Sequence, residues 1–148
     1  MIRTGLAGRP ARYAAAIMFV LIQSAGADGL RAGLYRIEQS PVINGEAGPL
    51  QRSTRCLTAE AVADLDTTFS PVSRTTNSAC ERTEHESTPQ RLKWRLQCTG
   101  QINMDVAGEF LFETDRYSAT LTTQASMGGQ IMQRSRVTIV AERTGDCP

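Results

Sequence analysis

The chain has 148 residues, of which 41% are apolar and 21% charged, and its formal net charge is +1. This length suits one domain with a hydrophobic core and is too short for two comfortable ones. Sixteen basic side chains against fifteen acidic ones leave no single-sign field that would hold nucleic acid or an anionic membrane. With His85 as its one histidine, the chain has little from which to build a proton-shuttling triad or a multi-histidine metal site.

The amino terminus has the pattern of a secretory signal peptide. Three arginines accompany an apolar stretch at residues 13–22, and Ala25-Gly26-Ala27 supplies the small residues that a signal peptidase reads. A transmembrane anchor is the alternative, but about ten apolar residues span only half of a hydrocarbon core roughly 30 Å thick. We therefore predict a cleaved signal peptide at residues 1–27, no membrane span after cleavage, and one periplasmic or secreted domain over residues 28–148.

All four cysteines lie in the predicted mature domain. An even number in an oxidising compartment favours two disulfides over metal ligation, and no Cys-x-x-Cys pair is present. A hairpin that turns near residues 87–89 would place Cys80 opposite Cys98, within the Cα separation that a disulfide requires. Of the three possible connectivities we therefore favour Cys80 with Cys98, which leaves Cys56 for Cys147.

Alternation with period two dominates the mature chain. In residues 92–98 the apolar side chains alternate with Lys93, Arg95 and Gln97, which predicts a half-buried antiparallel strand. Gly108 interrupts a second such stretch and suggests a bulge or bend. The alternation recurs at residues 102–112, 117–121 and 137–141, and residues 33–40 and 50–57 indicate a hairpin with a longer connection. The pattern predicts a mainly β domain, with about seven strands in meander order forming a curved antiparallel sheet or an open barrel.

One short helix is predicted to interrupt these strands. Thr58 is a good N-cap, and Leu57 and Val62 occupy the two positions of a hydrophobic staple. We expect the helix to end by Asp66. Residues 67–79 are rich in Ser, Thr and Asn and are predicted to form a loop.

Short motifs follow one another along nearly all of the mature chain. They are Gly33-Leu34-Tyr35 at the first strand, Arg55-Cys56-Leu57-Thr58 before the helix, Cys80, the Trp94 strand ending in Cys98, Tyr117-Ser118, and Gly145-Asp146-Cys147. In order and spacing they resemble the bacterial family called domain of unknown function 3617, whose members typically open with Gly-Leu-Trp. Tyr35 departs from that opening but keeps the aromatic ring. The resemblance implies a small exported proteobacterial protein with paired cysteines, and it implies no activity.

His85 stands in an acidic neighbourhood, among Glu81, Glu84 and Glu86. On a regular strand Glu81 and His85 would share one face, and Glu84 and Glu86 the other. One histidine with one or two carboxylates offers too few suitable ligands for a transition metal. We therefore prefer a solvent-facing histidine near a hairpin turn, and we predict no metal site.

A row of carboxylates at Asp105, Glu109 and Glu113 is predicted to line one face of a strand. Two carboxylates at a suitable separation could serve as acid and base. A solvated face opposed by Arg134 and Arg136 is the interpretation that we favour. Because no Gly-x-Ser-x-Gly nucleophile motif is present either, we predict no catalytic residue and no cofactor.

Two classes of function remain. The first is a noncatalytic module of the cell envelope with a structural or interaction role and an envelope protein as partner. The second is a carrier, in which the apolar face of the sheet encloses an apolar small molecule. An enzyme ranks third, and composition does not separate the first two. The predicted apolar face consists of Trp94, Leu96, Phe110, Phe112, Tyr117, Leu121, Val137 and Ile139.

Overall fold

The computed structural model describes residues 29–70 and 78–148, so the predicted signal peptide at residues 1–27 lies outside the described residues. The described chain forms one antiparallel sheet of eight strands and two short helices. The strands are β1 (Gly33–Ile43), β2 (Glu46–Ala47), β3 (Gln51–Leu57), β4 (Ser78–Ser87), β5 (Arg91–Gly100), β6 (Asn103–Phe112), β7 (Arg116–Met127) and β8 (Gln130–Gly145). The helices are α1 (Ala59–Ala63) and α2 (Leu65–Phe69).

The sheet has the order β2-β1-β8-β7-β6-β5-β4, and β3 also pairs with β1. The predicted mainly β, antiparallel class is confirmed. The strand count is eight instead of about seven, because the two-residue β2 was not expected. The meander order holds from β4 to β8 only, since β1 returns to pair with the last strand and places Ile37 opposite Ala141. Among the described residues no ladder joins β4 to β2 or β3, so the sheet is open.

The strand register collects the apolar side chains on one face, which we call the inner face. One row runs from Leu92 through Phe110 and Ala119 to Ile139, across four neighbouring strands. Charged residues are concentrated on the opposite, outer face, and Arg55, Arg82 and Arg143 are exceptions on the inner face. Of the predicted apolar face, six residues are buried and two are partly buried against the same core: Trp94, Leu96, Phe110, Phe112, Tyr117 and Ile139 in the first group, Leu121 and Val137 in the second.

The sheet has register shifts in three places, at Leu34/Tyr35, Arg82/Glu84 and Ala125/Ser126, and none of them is at Gly108. No bulge occurs at Gly108, because β6 keeps its register with both neighbours through that residue. Of the three shifts, the one in β4 between Arg82 and Glu84 lies on an edge strand of the sheet. A bulge on an edge strand disturbs the row of free backbone groups that could otherwise template pairing with another chain.

Two short helices replace the single one predicted. Thr58 caps α1 as expected, accepting a hydrogen bond from the Ala61 amide at 3.2 Å. Asp64 then ends α1 and caps α2, accepting from the Thr67 amide at 3.0 Å. The loop prediction is therefore wrong for residues 67–69, which are helical because Leu65 and Phe69 bury one side of a turn, and for residues 78–79, which open β4. Residues 71–77 lie outside the described residues.

Two disulfides close the fold, and they join the pairs that the sequence favoured. Cys80 and Cys98 face each other in the β4–β5 register, with their Cα atoms 3.9 Å apart. Cys56 at the end of β3 is bonded to Cys147, 91 residues later, with a Cα separation of 5.4 Å. The second bridge ties the carboxyl terminus to the strand that leads into α1. Neither α1 nor α2 is long and apolar enough to cross a membrane.

Candidate functional site

A cavity of about 460 Å³ opens on the inner face beside α2. Its lining comes from β1, β3, β6, β7 and β8 as well as from the helix, so the sheet curves around α2. Pockets that hold small organic ligands run from roughly 300 to 1,000 Å³. The cavity therefore has the size of a ligand site. Its apolar lining residues are Ile37, Phe69, Phe110, Tyr117, Leu121 and Ile139.

Phe69, the last residue of α2, forms the fixed wall of this cavity. Its ring centroid lies 5.1 Å from those of Phe110 and Tyr117 and 5.4 Å from that of Phe112. The Trp94 indole donates a hydrogen bond of 3.1 Å to the Phe69 carbonyl. Because both the ring and the backbone of Phe69 are held, the cavity is bounded by packed aromatic groups that keep its shape.

Arg55 of β3 brings a positive charge to the edge of the cavity. Its guanidinium carbon lies 5.5 Å from the centroid of the Phe69 ring, within cation–π distance. Burial raises the pKa of the Tyr117 phenol, and the charge of Arg55 opposes that rise. The site thus offers apolar contact and one guanidinium. Its remaining polar lining residues are neutral: Gln39, Ser53, Thr54, Thr67, Thr68 and Ser70.

The predicted apolar face divides between this cavity and the closed core. Phe110, Tyr117, Leu121 and Ile139 line the cavity. The other four do not line it: Trp94, Leu96, Phe112 and Val137. Half of the predicted apolar face therefore lines the cavity, and the other half packs in or against the core.

His85 lies on the inner side of β4, and its side chain is 38% exposed, as expected for a solvent-facing histidine near a hairpin turn. The β4 register shift puts Glu81 on the outer face with Glu84, so the expectation that Glu81 and His85 share a face is wrong. His85 Nε2 instead lies 3.0 Å from Asp66 Oδ1 of α2. Partial burial by itself would raise the pKa of Asp66, but His85 and the Arg82 guanidinium hold that pKa below its ordinary value. His85 therefore helps to dock α2 on the sheet.

The carboxylates of β6 lie on the outer face, as expected, but their partners differ from those predicted. Asp105 accepts hydrogen bonds of 2.9 and 2.8 Å from the Nε and Nη2 atoms of Arg95, and these lower the pKa of Asp105. Glu109 is paired with Arg91 at 2.8 Å. Glu113 lies beyond the end of β6 and approaches Arg116 at 3.8 Å.

Arg134 and Arg136 belong to β8, which pairs with β7 and β1 and not with β6, so they do not oppose this row. Together with Arg95 and Asp105 they line a second, outer-face cavity of about 350 Å³. Arg134 Nε donates to the Gln124 side chain at 3.2 Å, and Asp105 is already paired. Within the described part of the chain, no group of three or more His, Cys, Asp or Glu residues is placed to hold a metal ion.

Among the cavity residues that the sequence reasoning missed, Phe69 and Arg55 matter most to the site. Phe69 fell in the predicted loop, although Asp64 as a capping residue and the spacing of Leu65 and Phe69 by four were visible signals of a second helical turn. Arg55 was noted only as part of a motif. Its inward direction depends on the pairing of β3 with β1, which puts it opposite Tyr35.

Comparison with known proteins agrees with the resemblance seen in the sequence. The family model described as "Protein of unknown function (DUF3617)" matches residues 30–147, which is most of the chain and includes all of its cysteines. Searches of curated proteins and of solved structures found no match. The chain belongs to the DUF3617 family.

Proposed function

We propose that this protein is an exported, noncatalytic binding module whose inner-face cavity holds an apolar small molecule. The observation that carries the proposal is the 460 Å³ cavity beside α2, with six apolar residues in its lining and a packed aromatic wall. An open recess of this size with aromatic side chains in its wall fits a ligand site better than a purely structural role, because ligand sites are typically apolar concavities with a few polar groups.

Export and the noncatalytic role rest on further observations. The predicted signal peptide at residues 1–27 would direct the chain to a periplasmic or extracellular compartment, where two disulfides form and persist. The described carboxylates of β6 are engaged by arginines, and His85 is engaged by Asp66. These groups stabilise the fold, and in this proposal none of them acts on a substrate.

Titration with primary alkanols of 8, 10 and 12 carbons tests the cavity, because they carry an apolar tail and no charge. Each methylene removed from water contributes about 0.8 kcal/mol, so the affinity should rise about fourfold per methylene until the cavity is full. Leu121→Trp would occupy the cavity and should remove this binding. Thr120→Trp, on the adjacent outward position of β7, should leave it intact. Absence of alkanol binding, or equal losses in the two variants, contradicts the proposal.

The natural ligand should accompany protein that is purified natively from the periplasm. Solvent extraction followed by mass spectrometry should release an apolar compound from the wild-type protein and much less of it from Leu121→Trp. Thr120→Trp, prepared in parallel, is the control for compounds that adhere to the outside. An extract from the wild type that matches that of Leu121→Trp contradicts the carrier role.

A second candidate, an interaction module, is favoured by one specific observation. Four large apolar side chains are about half exposed at the β7–β8 hairpin end of the sheet: Ile43 (47%), Met127 (47%), Ile131 (47%) and Met132 (55%). Large apolar side chains that remain exposed at one end of a sheet can serve as contacts between proteins. If this end binds a second copy, sedimentation should show association that rises with concentration and that Ile131→Lys abolishes. A monomer at all concentrations contradicts self-association.

A further inference from the structure

The inward-facing arginine of the β1–β3 ribbon differs from its outward-facing neighbours. On the outer face, Arg52 Nε lies 2.8 Å from Glu38, and Arg36 approaches Glu142 at 3.4 Å. Arg55 has no such acid: within the described residues it makes no ion pair, and its guanidinium lies over the Phe69 ring. The arginines on the outer face of this ribbon are paired with acids, whereas Arg55 is not paired with an acid in the part of the chain that the structure describes. This difference calls for an explanation at the cavity.

The lining of the cavity sharpens that contrast. Arg55 is its one charged member among the described residues, and no carboxylate is present to neutralise it. Arg55 is exposed at the mouth of the cavity, so water screens its charge, and an anionic group would meet the guanidinium at the cavity entrance. The charge of Arg55 acts on the Tyr117 phenol, whose pKa it lowers against the effect of burial. The cavity is thus apolar inside and positive at its edge.

From this juxtaposition we infer that the ligand is an anionic amphiphile, with an alkyl chain against Phe110, Leu121 and Ile139 and a carboxylate or similar anionic head on the Arg55 guanidinium. The inference rests on the proposed function and adds the chemical class of the ligand. Arginine suits this role because its guanidinium presents two parallel donors to a carboxylate while one face remains stacked on an aromatic ring. Phe69, held by Trp94, would keep the guanidinium in place.

Three ligands of equal chain length test the head group separately from the tail: dodecanoate, dodecanol and dodecyltrimethylammonium, each below its micelle concentration at low ionic strength. The wild-type protein should bind dodecanoate roughly two- to fivefold more tightly than dodecanol, since Arg55 is exposed and an ion pair with an exposed side chain is weakened by water. The cationic ligand should bind most weakly. Equal affinities for the anion and the alcohol overturn the inference but leave the proposed function standing, whereas no binding of any of the three overturns both.

Variants on β3 then assign the head group to one residue. Arg55→Gln should bring the ratio of dodecanoate affinity to dodecanol affinity to about one, and a ratio that stays at the wild-type value overturns the inference. Arg55→Lys should restore part of the preference. Arg52→Gln, three residues earlier on the outer face and likewise the loss of one positive charge, should behave as the wild type. A parallel loss in Arg52→Gln would show that net charge, and not the position of Arg55, sets the preference, and would overturn the inference.

Discussion

The indole ring of Trp94 occupies the space that a side chain at Gly108 would need. The two residues face each other across β5 and β6, and a Cβ atom added to Gly108 would lie 2.5 Å from Trp94 Cε2 and Cζ2. The indole has no room to withdraw, since it is 1% exposed and donates to the Phe69 carbonyl. Gly108 is therefore needed for close packing, and the position of α2 depends on it indirectly.

Gly108→Ala should accordingly destabilise the protein. Alanine in a strand would normally stabilise by roughly 0.5–1 kcal/mol relative to glycine, but the clash with Trp94 should reverse the sign and cost about 1–3 kcal/mol, as overpacking does. Urea unfolding followed by tryptophan fluorescence measures the change. Gly145→Ala is the control, because a Cβ there meets no atom within 4 Å. Equal urea midpoints for the two variants would contradict this prediction, because they would show that β5 and β6 adjust around Trp94 without loss of stability.

Phe69 should be the most costly residue of α2 to remove. Phe69→Ala deletes three aromatic contacts and leaves a void between α2 and the sheet, so a loss of about 3–5 kcal/mol in the free energy of unfolding is expected. Denaturant titration measures it. Ile43→Ala, which removes a side chain that is 47% exposed, should change stability by no more than about 0.5 kcal/mol. A small effect of Phe69→Ala would mean that α2 contributes little to the core.

These examples show which parts of the structure were accessible from the sequence. The period-two pattern identified the strand around Trp94 and the side of it that is buried, because alternation is a local property. The sequence did not show why residue 108 is glycine, because the Trp94 indole that leaves no room for a side chain there belongs to the neighbouring strand. The prediction that Glu81 shares a face with His85 was wrong, because no residue of β4 signals the bulge between Arg82 and Glu84. The pairing of β1 with β8 joins residues about a hundred positions apart, and no periodicity reports such a contact.

The cavity was the least predictable feature, for the same reason. Its apolar lining from β6, β7 and β8 could be anticipated from alternation, but the space arises only when α2 is placed on the sheet. That placement depends on Phe69 and on the contact of Asp66 with His85. The role that we infer for Arg55 depends on a contact that the sequence does not show, because its guanidinium lies over the Phe69 ring and meets no acid among the described residues.

The two disulfides should differ in their contribution to stability. In the chain-entropy model, closing the 91-residue separation between Cys56 and Cys147 stabilises by about 4.6 kcal/mol, against about 3.2 kcal/mol for the 18-residue separation between Cys80 and Cys98. The double variant Cys56→Ala/Cys147→Ala should therefore unfold at lower urea concentration than Cys80→Ala/Cys98→Ala. Each double variant serves as the control for the other. The opposite order would show that local packing around the buried Cys98 outweighs the entropy of the unfolded chain.

Acidic pH should lower the stability of the protein by protonating Asp105 on the outer face. Its folded-state pKa is lowered from 3.8 by the Arg95 hydrogen bonds, so the carboxylate contributes stability above that value and loses it as the pH falls towards the folded-state pKa. Asp105→Asn removes the titrating group. The gap in urea midpoint between wild type and variant should be largest near pH 7 and should shrink below about pH 4. Thr120→Asn, a change on the same face with no titrating group, should show the same gap at both pH values. A gap for Asp105→Asn that does not change with pH would mean that the charge of Asp105 contributes nothing, and that shape alone accounts for its pairing with Arg95.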